Sequence, residues 1–117
     1  MSVNQAKINA LQSLAHGSIT TGYVAVGSIL VLPLSMFRLI NNTDGDVFFS
    51  IDGVTDQFFV PAASFVLYDV AANRGINQAF NVPGSVQFYV KYSTSPSKNA
   101  VYVESISPNI VTPTLPL

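Results

Sequence analysis

Residues 85–92 read SVQFYVKY, and this stretch decides the fold class. Val86, Phe88, Val90 and Tyr92 fall at every second position, with Gln87, Tyr89 and Lys91 between them. A period of two sets the first group on one face of an extended chain and the second on the other. The spacing predicts a half-buried β-strand whose apolar face closes a core. The polar run STSPSKN (93–99) predicts a hairpin loop. Ala100 to Ile106 predicts the return strand, with Val101 and Val103 on one side and Tyr102 and Glu104 on the other.

The same signals repeat upstream. Ser64 to Val70 alternates Phe65 and Leu67 against Val66, Tyr68 and Val70. Val47 to Ile51 alternates Val47, Phe49 and Ile51 against Phe48 and Ser50, and Gln57 to Val60 returns after the hairpin signal Asp52-Gly53. NNTDG (41–45) is dense turn chemistry, because Asn and Asp bond their own backbone and tolerate positive φ. Ile19 to Val26, Ile29 to Leu32 and Met36 to Ile40 read as further strands, with Gly27-Ser28 as a turn and Pro33 as a break. Ala71 to Pro83 reads as a longer connection. Roughly seven or eight short strands with such turn signals predict an all-β fold, an antiparallel β-sandwich or jelly-roll-like barrel, over residues 18–106.

The two ends read differently. In residues 1–17, Ile8, Leu11, Leu14 and Ala15 recur at helical spacing and Ser2 or Asn4 is placed to cap. The spacing predicts a short N-terminal helix, marginal alone at roughly three turns, which needs its own domain or a neighbour to pack on. Residues 107–117, SPNIVTPTLPL, carry Pro108, Pro113 and Pro116 and predict an extended arm. Its apolar Ile110, Val111, Leu115 and Leu117 either fold back on the domain or lie in a groove of another subunit. An already extended chain loses less entropy on docking, which favours the groove.

Composition points to assembly. Of 117 residues, 9% are charged, 49% are hydrophobic, and mean hydropathy is +0.41. About a quarter of a soluble domain is ordinarily charged. A chain this poor in ionic groups covers its surface with Ser, Thr, Asn, Gln and Gly, or with other subunits. The five basic residues, Lys7, Arg38, Arg74, Lys91 and Lys98, form no run, and net charge is −1, so no nucleic-acid partner is expected. The best apolar run, Val24 to Leu34, is broken by Gly27 and Pro33 and falls short of the roughly 20 residues of a spanning helix, so no membrane partner is expected either. The N-terminus mixes Asn4, Gln5, Lys7, Asn9 and Gln12 among apolar residues, unlike a signal peptide.

Catalytic groups do not assemble from this sequence. With no cysteine and one histidine, His16, neither a transition-metal site nor a Ser–His nucleophile has support. Asp44 and Asp46 precede the strand at 47–51, and Asp52 and Asp56 follow it. Five strand residues span roughly 17 Å, which separates the pairs too far for one metal or one carboxylate dyad. They read as turn formers, and a calcium ion at a single loop is the metal reading the composition leaves. Asp69 reads as structural, with Arg38 or Arg74 as partner. No enzyme activity and no cofactor are expected.

Three stretches carry a family resemblance: Arg38-Leu-Ile-Asn-Asn-Thr-Asp44, Ser50-Ile-Asp-Gly-Val-Thr-Asp56, and Val60 through Asp69, with the lead-in Gly17 to Tyr23 and Val26-Gly27. Over roughly residues 17 to 103 the chain resembles small β-sandwich virion proteins of tailed bacteriophages. The resemblance implies a structural subunit of the virion, a capsid decoration or cement protein that clamps neighbouring subunits. A neck or tail component in a ring is the alternative, and a carbohydrate- or receptor-binding β-module the second alternative. It implies other virion proteins as partners, the major capsid protein or connector and tail subunits, together with homo-oligomers. The expected subunit contacts are Ile8, Leu11 and Leu14 at the N-terminus and Ile110, Val111, Leu115 and Leu117 at the C-terminus.

Overall fold

The computed structural model describes the backbone of residues 3–69 and 84–111 and the side chains of residues 7–69 and 84–107. Nine strands follow in order: β1 (Val3–Ile8), β2 (Gln12–Ala15), β3 (Val24–Leu30), β4 (Met36–Asn41), β5 (Val47–Ser50), β6 (Phe58–Val60), β7 (Ser64–Asp69), β8 (Val86–Tyr92) and β9 (Ala100–Val111). They form two antiparallel sheets packed as a sandwich. The first runs β1–β9–β4–β7, with β2 also on β9, and the second runs β3–β8–β5–β6. From β3 to β9 the chain crosses repeatedly between sheets, and only β5 and β6 are consecutive strands of one sheet.

The alternation read from the sequence sets the interior. Val86, Phe88 and Val90 of β8 face Val101 and Val103 of β9, and all five are buried. Phe37 and Leu39 from β4, Val47 and Phe49 from β5, and Val60 from β6 complete the centre. Phe37 joins the sheets, with ring centroids 5.4 Å from Phe88, 5.7 Å from Phe58 and 5.3 Å from Tyr68. Edge-to-face and offset pairs at this range add to the gain from burial alone.

The N-terminal helix predicted from the sequence is not present. Residues 3–8 and 12–15 are strands, and the one helical turn among the described residues is the short 3₁₀ segment His16–Ser18. A lone helix of about three turns is marginal, whereas the long strand β9 offers an unpaired edge. β1 takes its distal half (Ile8 opposite Ile106, Val3 opposite Val111) and β2 its proximal half (Gln12 opposite Val103). Beyond Ile106, β9 has β1 as its neighbour while β4 has ended. The C-terminal segment therefore continues as strand through Val111, and residues 112–117 lie outside the described residues.

Gly27-Ser28 is a bulge inside β3 and not a turn. Gly27 sits at φ +66, and the register with β8 shifts between Val26 and Leu30. A Cβ on Gly27 would lie 2.7 Å from the Gln12 side chain, whose Nε2 donates to Ser28 O at 2.7 Å and ties the two sheets together at one edge. Only glycine allows that approach at that φ.

The NNTDG turn closes the opposite end as a buried polar plug. Asn41 Nδ2 donates to Gly45 O (2.7 Å) and Val60 O (3.0 Å), and its Oδ1 accepts from Thr43 N (3.0 Å) and Thr43 Oγ1 (2.6 Å). Asn41 and Thr43 are both buried. All four hydrogen-bonding sites of the amide are used, as burial requires. Gly45 passes so close to the β8–β9 loop that a Cβ would stand 2.2 Å from Thr94 O.

Candidate subunit-docking face

The register of the first sheet fixes which side chains point away from the core. One row is Ile8, Ile106, Met36 and Asp69 across β1, β9, β4 and β7. The next is Glu104, Arg38 and Leu67, with Leu11 beside Glu104 just before β2. The third is Ser13, Tyr102, Ile40 and Phe65. An outward face is normally polar where it meets water. Here Ile8 is 78% exposed, Leu11 58%, Phe65 56% and Leu67 55%.

At the middle of this face Arg38 Nε donates to Glu104 Oε1, and the Arg38 guanidinium lies 5.1 Å from the Phe65 ring centroid. Both ionic side chains are more than a third exposed, so water screens the pair and it adds little to stability. Beside it an open groove of about 560 Å³ runs between Ile8, Leu11, Met36, Leu67 and Ile106.

The outward face of the second sheet is built differently. Lys91 Nζ lies 2.8 Å from Asp56 Oδ1, 4.8 Å from the Tyr23 ring centroid and 5.6 Å from that of Phe48. Tyr23 Oη donates to Asp56 Oδ1 at 2.7 Å, and Phe48 packs on Phe59 at 5.1 Å. The Lys91 ammonium, then the Tyr23 hydroxyl, hold the Asp56 carboxyl below its ordinary range. Burial, then the bond to Asp56, raise the Tyr23 phenol well above its ordinary value. The polar groups here complete one another, while Phe59 is 48% exposed and Ile29 of β3 54%.

The aspartates serve the loops. Asp44 accepts from Ser97 N (2.7 Å) and Ser97 Oγ, and Asp46 accepts from Ala62 N at 2.9 Å. Asp52 Oδ1 accepts from Val54 N and Thr55 N, both at 2.8 Å, and from Ser50 Oγ at 2.6 Å. Among the described residues no group of three His, Asp or Glu side chains is placed to hold a metal ion. His16 Nδ1 donates to Asn99 O at 3.0 Å. Arg38 pairs with Glu104, while Asp69 stands exposed at the corner of the sheet.

Of the contacts read from the sequence, Ile8 and Leu11 lie on the exposed face, whereas Leu14 turns inward and packs against the core. Ile110 and Val111 belong to β9 opposite Asn4 and Val3, and their side chains lie outside the described residues, as do Leu115 and Leu117 altogether. Phe65, Leu67, Met36 and Ile106 were not singled out by sequence. The signal that marks Phe65 and Leu67 is β7 itself, SFVLYD, apolar on both faces. An antiparallel sheet with one face toward water commonly alternates apolar with polar, and β7 does not. No protein-family model, no curated protein and no solved structure matches this chain.

Proposed function

We propose that this chain is a structural subunit of a tailed-phage virion, a capsid decoration or cement protein, that docks through the outward face of its first sheet and performs no chemistry. The observation that carries the reading is that face: Ile8 from β1, Leu11 from the β1–β2 connection and Phe65 and Leu67 from β7, each more than half exposed and gathered around one solvent-screened ion pair. Exposed apolar patches of this kind mark interaction surfaces. The low ionic content of the chain agrees with it.

The strand order supports a finer reading of the sandwich as a jelly roll. The order β1/β2–β9–β4–β7 against β3–β8–β5–β6 corresponds to two nested Greek keys, an architecture used by viral capsid and lectin domains alike. Fold alone does not assign function, so the docking face carries the argument. The test is quantitative mass spectrometry of purified particles of the phage that encodes the chain. Tens to hundreds of copies per particle support a decoration protein, about six to twelve support a neck or tail ring, and absence from particles overturns both.

A further inference from the structure

We propose that the outward face of the first sheet is a two-fold interface between two copies of this chain, in which Arg38 of each copy pairs with Glu104 of the other. The inference rests on the docking role proposed for this face and names its first partner.

The register makes the face complementary to itself. β4 and β9 are adjacent, with Met36 opposite Ile106, Arg38 opposite Glu104 and Ile40 opposite Tyr102. A two-fold axis lying in the interface, parallel to the strands and midway between β4 and β9, lays β4 of one copy on β9 of the other without changing rows. Arg38 then stands over Glu104, Met36 over Ile106 and Ile40 over Tyr102. In the same operation Leu67 of one copy meets Leu11 of the other, so the apolar groove beside β9 receives an apolar residue. Asp69 falls over Ile8 and Phe65 over Ser13 at the corners, where the crossing of packed sheets by about 30° carries them toward solvent, so the complementarity is that of the centre of the face.

Charge decides between a second copy and an unrelated apolar partner. Sheets stack about 10 Å apart, within reach of an arginine and a glutamate extended toward each other. The two ion pairs then form a square of alternating charge, and each charge gains a second opposite neighbour as water leaves. An apolar partner would strip the water from the pair and return nothing. A closed two-fold contact of one patch with itself is also the commonest form of self-association.

At ordinary strand spacing and rise the face covers roughly 400 Å² per copy, about 800 Å² for the pair, below stable specific interfaces and in the range of weak, transient ones. The dimer is therefore weak and reversible, forming at concentrations on the order of 100 µM, and tightens where copies are gathered on a particle.

Sedimentation equilibrium of the full chain tests this. The native protein is expected to dimerise with rising concentration, whereas Arg38→Glu alone and Glu104→Arg alone stay monomeric with native circular dichroism. Mixed in equal amounts, these two variants are expected to form a heterodimer tighter than the native dimer, since one brings two acids and the other two bases. The double swap R38E/E104R restores the pair within each copy, guards against misfolding of the single variants, and is expected to dimerise like the native chain. A native protein that remains monomeric, single variants that dimerise like it, or a double swap that stays monomeric overturns the proposal. So does a folded mixture that does not associate. A monomer that still enters virions overturns the two-fold interface and leaves the docking role standing; a dimer absent from virions does the reverse.

Discussion

On the outside of the second sheet, Lys91 is held by Asp56 and flanked by Tyr23 and Phe48, while Phe59 rests on Phe48. On the outside of the first, Arg38 and Glu104 hold each other and leave Ile8, Leu11, Phe65 and Leu67 exposed. Both exteriors stand on one shared core, so the difference is not a matter of how well the chain folds. Polar groups that complete one another need no partner; apolar area left open around a water-screened ion pair gains free energy from one, at about 25 cal/mol per Å² covered before association costs. The comparison separates residues that stabilise the domain from residues of the proposed docking face.

The largest effect is expected where both faces share a foundation. Asn41→Leu removes a buried amide and leaves Val60 O and Thr43 N without this partner, while Gly45 O keeps the Thr43 hydroxyl. Unsatisfied buried groups of this kind cost about 1–3 kcal/mol each where no water enters. A loss of about 2–4 kcal/mol is expected, read as a fall in Tm of about 10 °C or more. Docking should fail with it, because the plug holds the end of β4 on which the outward face depends. A variant of native Tm would show that the turn, and not the buried amide, closes this end of the sandwich.

A matched pair of substitutions sharpens the comparison. Leu67 is 55% exposed and Phe59 48% exposed, on opposite exteriors. Leu67→Asp is expected to leave Tm nearly unchanged and to weaken self-association and particle incorporation about tenfold or more, equivalent to roughly 1.4 kcal/mol. Phe59→Asp is expected to do the opposite: it loses the packing on Phe48, lowers stability by about 0.5–1 kcal/mol, and leaves association intact. Equal effects of both on association would erase the distinction between the faces.

The legibility of the molecule follows the same division. Strands β8 and β9 were readable because inward and outward residues differ in polarity, as in Val86-Gln87-Phe88 and Val101-Tyr102-Val103. The N-terminal strands were misread because Ile8, Leu11 and Leu14 satisfy a helical period, and what outweighs that period is the edge of a strand about a hundred residues away. Gly27-Ser28 carries the same letters for a bulge as for a turn, and only the Gln12 side chain against Gly27 decides between them. The proposed docking face was legible in part. Ile8 and Leu11 stood out as apolar ends, but the pairing of Arg38 with Glu104 requires β4–β9 register across 66 residues of chain, which no local pattern encodes.

Acid gives the smallest effect on stability, through three carboxylates of the loops and the second exterior that the fold holds below their ordinary range. The hydroxyl and amide of Ser97 hold the Asp44 carboxyl down from 3.8 to about 2. The Ser50 hydroxyl and the amides of Thr55 and Val54 hold Asp52 well below the usual carboxylate range, and Asp56 is lowered by Lys91 and then by Tyr23. In each case the folded value lies below the unfolded one, so the native state prefers the ionised form. The stabilisation is present in full above the ordinary value of 3.8 and is lost as pH falls toward 2 and below. Thermal melts are expected to be level from pH 7 to about 4.5 and to fall between about pH 4 and 2. Asp52→Asn should lower the plateau and flatten the fall, because one of the three linked carboxylates is gone. A midpoint that holds steady down to pH 2 would mean that these loop hydrogen bonds favour the acid and its anion equally, and that the second exterior is held by Lys91 stacking on Tyr23 and Phe48 rather than by its charge on Asp56.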